Sequence, residues 1–159
     1  MRDVLLGTAP VFWIHQPEYI IVATAAALLT VVLVRFWRGN RQLLLVLDAL
    51  GLAFFCVLGA AKAQQVGASH LTVVLMGAMT GTVGGLLRDI LAGEVPLILH
   101  QDLYATCAVL GAAVFDLLII AGAPTAVAVW AGLAAALLLR LAAIRWHWGL
   151  PVFALRPEH

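Results

Sequence analysis

The sequence predicts an all-α integral membrane protein with about five transmembrane helices. Three observations lead there. Of the 159 residues, 64% are apolar and only 11% charged, with a mean hydropathy of +1.07, whereas soluble chains carry roughly a quarter charged residues. Five apolar runs approach or reach the length of about 20 residues that a helix needs to cross the hydrocarbon. All nine Lys and Arg residues lie at or near the ends of those runs. Strands of a membrane barrel would alternate apolar and polar residues, and these runs do not.

Taken in order, span A covers about Tyr19 to Phe36, span B Leu43 to Ala61 and span C His70 to Leu87. Span D covers about Leu103 to Ala123 and span E Pro124 to Ile144. Short connections join them: RFWRGNRQ after A, QQVGAS after B and a GAP turn between D and E. Arg35, Arg38 and Arg41 mark the A–B loop as cytoplasmic by the positive-inside rule. The B–C and D–E turns then face outward without Lys or Arg, and Arg88, Arg145 and Arg156 face inward. Trp37, Trp146 and Trp148 fall at cytoplasmic boundaries and Trp13 near the outer one, as interfacial aromatics do.

The chain also repeats itself. Arg2, Asp3, Leu5, Gly7 and Pro10 of MRDVLLGTAP return as Arg88, Asp89, Leu91, Gly93 and Pro96. After a one-residue slip, His15, Gln16 and Tyr19 return as His100, Gln101 and Tyr104. The topology puts the two Arg-Asp copies on opposite faces, the arrangement that an odd number of spans per repeat produces. That is the inverted-repeat plan of many transporters. Residues 1–42 then hold the tail of a first repeat: the motif, span A and the basic loop. Residues 43–123 form a complete three-helix repeat, and residues 124–159 a final span with a cytoplasmic tail. The whole reads as the remnant of a seven-helix, 3+3+1 architecture.

Span C carries the densest signal. Gly77, Gly81, Gly84 and Gly85 fall within nine residues, with Thr80 and Thr82 among them. Gly77 and Gly81 make the small-xxx-small spacing of close helix packing. The Gly84-Gly85 pair suggests a kink or break, whose freed backbone groups could line a polar path. Arg88-Asp89 follows, either as an interfacial pair ending the helix, with the Arg snorkelling, or as charges at a pore mouth. Its recurrence as Arg2-Asp3 keeps the second reading open.

Asp116 is about the fourteenth residue of span D, hence well inside the bilayer. Insertion there costs about 2.5–3.5 kcal/mol, so it faces protein or water, or is protonated. Asp48, some six residues into span B, reads as an acid solvated at a helix end. Lys62 can snorkel outward or serve as a gating or pathway cation. His15, His70, His100, His147 and His159 are scattered without metal-ligand spacing, so no metal or other cofactor is implied. Cys56 and Cys107 lie within apolar runs and read as packing residues. No phosphate loop, dinucleotide fingerprint or nucleophile elbow is present, and no basic stripe points to nucleic acid. Nothing suggests an enzyme.

RDVLLGTAPVFWIHQPEY, LDALGLAFFCVLGAAKA, GTVGGLLRDILAGEVPLIL and LYATCAVLGA together resemble the bacterial branch of the trimeric intracellular cation channel family, also known as a bacterial glycine-transporter domain. The resemblance implies seven helices in two inverted repeats plus one, a trimer, and a pore in each protomer. It implies glycine kinks beside the pore, here Gly81, Gly84 and Gly85, followed by Arg88 and Asp89. Lys62 matches the basic residue of the GAxKA pattern. Arg2 and Asp3 match the tail of the second-helix motif, whose glycines are absent from this chain.

Against that family the chain is expected to lack the first helix and most of the second. An internal start, a fragment and a truncated non-conducting paralogue all fit. The expected function is a monovalent cation channel, potassium first, in the bacterial inner membrane. The alternative is a secondary transporter for glycine or another small amino acid.

Overall fold

The computed structural model describes residues 41–93 and 103–146. Span A, the Arg2-Asp3 pair, the basic loop before Arg41 and the C-terminal tail lie outside the described residues. Four helices are described, and no strand among these residues: α1 (Arg41–Gln65), α2 (His70–Ala92), α3 (Leu103–Ile120) and α4 (Thr125–Trp146). They correspond to spans B to E. Each is long and apolar enough to cross a membrane, α2 being the least apolar at a mean hydropathy of 1.5.

Two of the turns follow from glycine. Gly67 after α1 has φ +73° and Gly122 after α3 has φ +79°, conformations that cost a residue with a Cβ and suit glycine. At each, the glycine N–H reaches back three residues and the next N–H five: Gly67 to Gln64 and Ala68 to Ala63, Gly122 to Ile119 and Ala123 to Leu118. This pairing satisfies the last carbonyls of a helix and stops it. Ser69 then caps α2 by accepting from the Thr72 N–H. The results are two tight antiparallel hairpins, α1–α2 and α3–α4.

Packing is the reverse of a soluble core. The buried apolar residues are mostly small, including Ala49, Ala53, Cys56, Ala60, Cys107, Ala108, Ala112, Ala128 and Ala136. Large ones such as Leu47, Phe54, Leu71, Leu91, Leu117, Trp130 and Leu138 face outward. In lipid, apolar side chains gain nothing by turning inward, so helices associate through close packing of small residues. A Cβ on Gly77 would lie 2.7 Å from the Cys56 carbonyl and 2.6 Å from the Ala112 Cβ, joining α1, α2 and α3. One on Gly132 would lie 2.7 Å from the Gly111 carbonyl, joining α4 to α3. Gly81 similarly abuts the Leu52 carbonyl.

The structure corrects two expectations about span C. Helix α2 runs without interruption through Gly84 and Gly85, so these glycines do not free backbone groups by a break. Thr80 and Thr82 hydroxyls are spent on the Met76 and Ala78 carbonyls, at 2.6 and 2.9 Å. Nor does Arg88-Asp89 end the helix. Hydrogen bonding continues to Ala92, and Gly93 caps it by donating to the Asp89 and Ile90 carbonyls.

These contacts yield a stability prediction. Gly132→Val should lower stability by about 2 kcal/mol through overpacking. Gly51→Ala, where an added Cβ meets nothing within 4 Å, should change it by less than about 1 kcal/mol. Thermal unfolding of the detergent-solubilised protein checks both.

Candidate functional site

The N-terminal turns of α1 and α3 and the C-terminal turns of α2 and α4 meet at one end of the bundle. There they bring together Asp48, Arg88, Asp89, Tyr104 and Arg140. Arg88 is the centre. Its Nη1 donates to Asp48 Oδ1 at 2.7 Å, and its Nε donates to Asp89 Oδ1 at 2.8 Å. Nη2 sits 2.7 Å from the same Asp89 oxygen, within ion-pair range but without hydrogen-bond geometry. The Tyr104 hydroxyl donates to Asp48 Oδ1 at 3.2 Å. Behind it, the Arg140 guanidinium lies 4.6 Å from the centre of the Tyr104 ring, a cation–π contact.

Apart from Arg88, whose side chain is 32% exposed, the charged groups of the cluster are buried. The side chains of Asp48 and Asp89 are each 6% exposed, and Arg140 is 1% exposed. Removing charge from water carries a large desolvation penalty unless opposite charge and hydrogen bonds replace the water. Among the described residues two carboxylates and two guanidinium groups gather here, so their formal charges balance. Asp48 Oδ2 is buried and accepts no hydrogen bond among the described residues.

Beside the cluster opens a cleft of about 270 Å³, lined by Asp48, Gly51, Leu52, Phe55, Gly81, Gly84, Gly85 and Arg88. The glycines have separate reasons. A Cβ on Gly85 would collide with the Tyr104 hydroxyl and stand 3.2 Å from Asp48 Oδ1, so glycine is what lets α3 close on the charge cluster. A Cβ on Gly84 would meet nothing within 4 Å. There, glycine leaves the cleft wide.

Lys62 and Asp116 lie elsewhere, toward the opposite end. Along α1, Asp48 and Lys62 are 14 residues apart, or about 21 Å at 1.5 Å per residue. Lys62 is half-buried in the last turn of α1. Asp116, the fourteenth residue of α3, is held by a histidine rather than left to face lipid. It lies one turn from the end of α3, with both oxygens 3.1 Å from His70 Nδ1 at the start of α2. His70 is 72% exposed and covers a carboxylate that is 6% exposed. Arg2 and Asp3 fall outside the described residues. Among the described residues no three His, Cys, Asp or Glu side chains gather as metal ligands.

Of the residues singled out in the sequence, the structure gathers Gly81, Gly84, Gly85, Arg88 and Asp89 at this end of the bundle, together with Asp48, Tyr104 and Arg140, which the sequence reading did not connect to them. Asp48 had been expected to be solvated, but Arg88 and Tyr104 bury it. A signal was available: the topology puts the start of span B and the ends of C and E at one membrane face. Asp48, Arg88, Asp89 and Arg140 thus share a layer, with balanced charge.

Four membrane-length helices, a neutral buried charge cluster and a glycine-walled cleft define a channel-like helical membrane protein. The chain belongs to the glycine transporter family, whose profile matches residues 1–35 and 45–120. It is 44% identical to the inner membrane protein YadS of Escherichia coli K12 over 98% of this chain and 76% of that protein. A membrane protein of Vibrio cholerae is 41% identical over 98% of this chain and 65% of its own length. The fold matches the trimeric intracellular cation (TRIC) channel orthologue from Rhodobacter sphaeroides with a TM-score of 0.87 and 44% identity, covering 92% of this chain and 76% of that one. A second TRIC cation channel structure matches with a TM-score of 0.86 and 36% identity, over 99% and 77%. The resemblance to that channel family is thus borne out, and these structural relatives are ion channels rather than enzymes.

The His70–Asp116 contact is open to a direct test. His70→Ala should destabilise the protein by about 1 kcal/mol, because it leaves a buried carboxylate without its partner. The loss should shrink in an Asp116→Asn background. A double-mutant cycle on thermal unfolding measures the coupling.

Proposed function

We propose that the chain acts as a monovalent cation channel, with potassium as the expected ion, assembled as a homotrimer in the bacterial inner membrane. The observation that carries this reading is the cleft along α2, where Gly81, Gly84 and Gly85 leave space beside the carboxylate of Asp48. The similarity to structures of TRIC cation channels supports it. Because α2 is unbroken, the path runs along a glycine face and past side-chain charge, not past freed backbone carbonyls. Arg88 and Asp89 stand at one mouth of that path. Arg2 and Asp3 are the corresponding pair of the first repeat, and Lys62 and Asp116 belong to the opposite end.

The repeat division at residues 1–42, 43–123 and 124–159 belongs to the same reading, as does the cytoplasmic placement of the A–B loop and the C-terminus. Arg145 in the last turn of α4 supports that placement by the positive-inside rule, and Trp146, 62% exposed beside it, suits a membrane interface. The bilayer is then the protein's only other required partner.

A second reading, secondary transport of glycine or another small amino acid, is favoured by the family's own description. Potassium flux in proteoliposomes separates the two. The channel reading expects a potassium current without saturable glycine uptake, and saturable uptake without current would overturn it. Gly84→Leu should suppress flux while preserving the oligomer's mass, since its side chain enters open space. Undiminished flux through that variant would remove the α2 face as the pathway.

A further inference from the structure

Arg88 makes two kinds of contact, and they are unequal. Toward Asp89, its neighbour on α2, it presents both Nε and Nη2, at 2.8 and 2.7 Å from one oxygen. Toward Asp48 on α1 it presents Nη1 alone, at 2.7 Å. A guanidinium has five N–H donors in a fixed fork, so losing the Asp48 contact leaves its pairing with Asp89 in place. Each carboxylate takes one hydrogen bond from Arg88, since Nη2 makes none; adjacency on α2 is what keeps Arg88 beside Asp89, while the bridge to α1 rests on Nη1.

Asp48 is unequal in the matching sense. Its Oδ1 takes both the Arg88 and Tyr104 hydrogen bonds, while Oδ2 is buried and receives none among the described residues. A carboxylate whose orientation is fixed through one oxygen, with the other undonated beside a cleft, has coordination capacity in reserve. The charges facing it are Arg88 from α2, and behind Tyr104, Arg140 from α4. Arg140 does not line the cleft, so among the described residues Arg88 holds the cationic position there. Two carboxylates, Asp48 and the Arg88-held Asp89, with no third acidic or His ligand gathered among the described residues, suit a monovalent ion rather than a divalent one, which takes more oxygen ligands.

We propose that Arg88 is a tethered competitor for a monovalent cation at Asp48. When the ion arrives from the cleft, Nη1 leaves Asp48, Arg88 stays on Asp89, and the ion takes both Asp48 oxygens. Charge at Asp48 is balanced before and after. This identifies the ion-contacting carboxylate and its intrinsic plug, and it rests on the channel reading above.

The test is the potassium dependence of flux in proteoliposomes, together with thermal stability in potassium against N-methylglucamine. Arg88→Gln should lower the half-saturating potassium concentration on the order of tenfold, as removal of a competitor held at high effective concentration does. Adding Asp48→Asn should erase that gain and shift the reversal potential toward anions. An unchanged or raised half-saturation in a folded Arg88→Gln trimer would overturn the proposal. Should that variant not assemble, Arg88→Lys serves instead. It keeps the charge but cannot fork between the two carboxylates, so a partial shift is expected and no shift counts against the plug. The two readings fail separately. A wild type without flux refutes the channel, while potassium-specific stabilisation of Arg88→Gln, lost with Asp48→Asn, would still uphold the site.

Discussion

Backbone contact between helices at Gly77, Gly111 and Gly132 is the constraint on which the rest of the structure depends. A bilayer offers no hydrophobic reward for turning leucines inward, so α1 to α4 hold together only where their main chains come close enough for dense packing. That requirement fixes which faces meet, with Cys56 of α1 lying against Gly81 and Gly111. It also leaves the large apolar side chains, from Leu47 to Leu138, pointing outward. With the crossings set, α1 and α2 are near enough for Arg88 to span to Asp48 at 2.7 Å. The polar site is a consequence of the apolar packing.

The charge cluster in turn explains why α2 extends beyond its hydrophobic run. An Arg-Asp pair left to lipid would end a span. Paired with Asp48, and backed by Tyr104 and Arg140, it can sit inside a helix whose hydrogen bonding carries on to Ala92. Gly85 links the two levels, because the space it leaves is the space the Tyr104 hydroxyl occupies. Packing, helix length and electrostatics at this end of the bundle are therefore one solution rather than three.

How much of this was legible in the sequence follows from the range of each interaction. Spans B to E could be read because hydropathy is local, and the GAP and QQVGAS turns because glycine's φ preference is local. The ends of span C and the pairing of Asp116 could not, since Arg88 and Asp116 are settled by partners 40 and 46 residues away in the chain. The glycine cluster was visible, but its roles were not. Of Gly81, Gly84 and Gly85, the first is pressed on the Leu52 carbonyl, the second faces open space and the third admits a tyrosine. Sequence spacing alone treats them alike. Asp48 and Arg140 were the costliest omissions, the first judged singly and the second not weighed at all, when the charges of the described residues balance only as a set of four.

The inverted distribution of side-chain size has a consequence for how such a chain can drift. In a soluble domain, damage usually comes from losing volume in the core. Here the outward Leu and Phe residues that meet lipid can be trimmed or exchanged with little effect on helix contact within the protomer, because lipid fills the difference. The interior is intolerant in the opposite direction. It is built from residues that have almost nothing left to lose, so its vulnerable substitutions are enlargements. Sequences sharing this fold are therefore free to diverge in what they show the membrane while the small residues between the helices stay small.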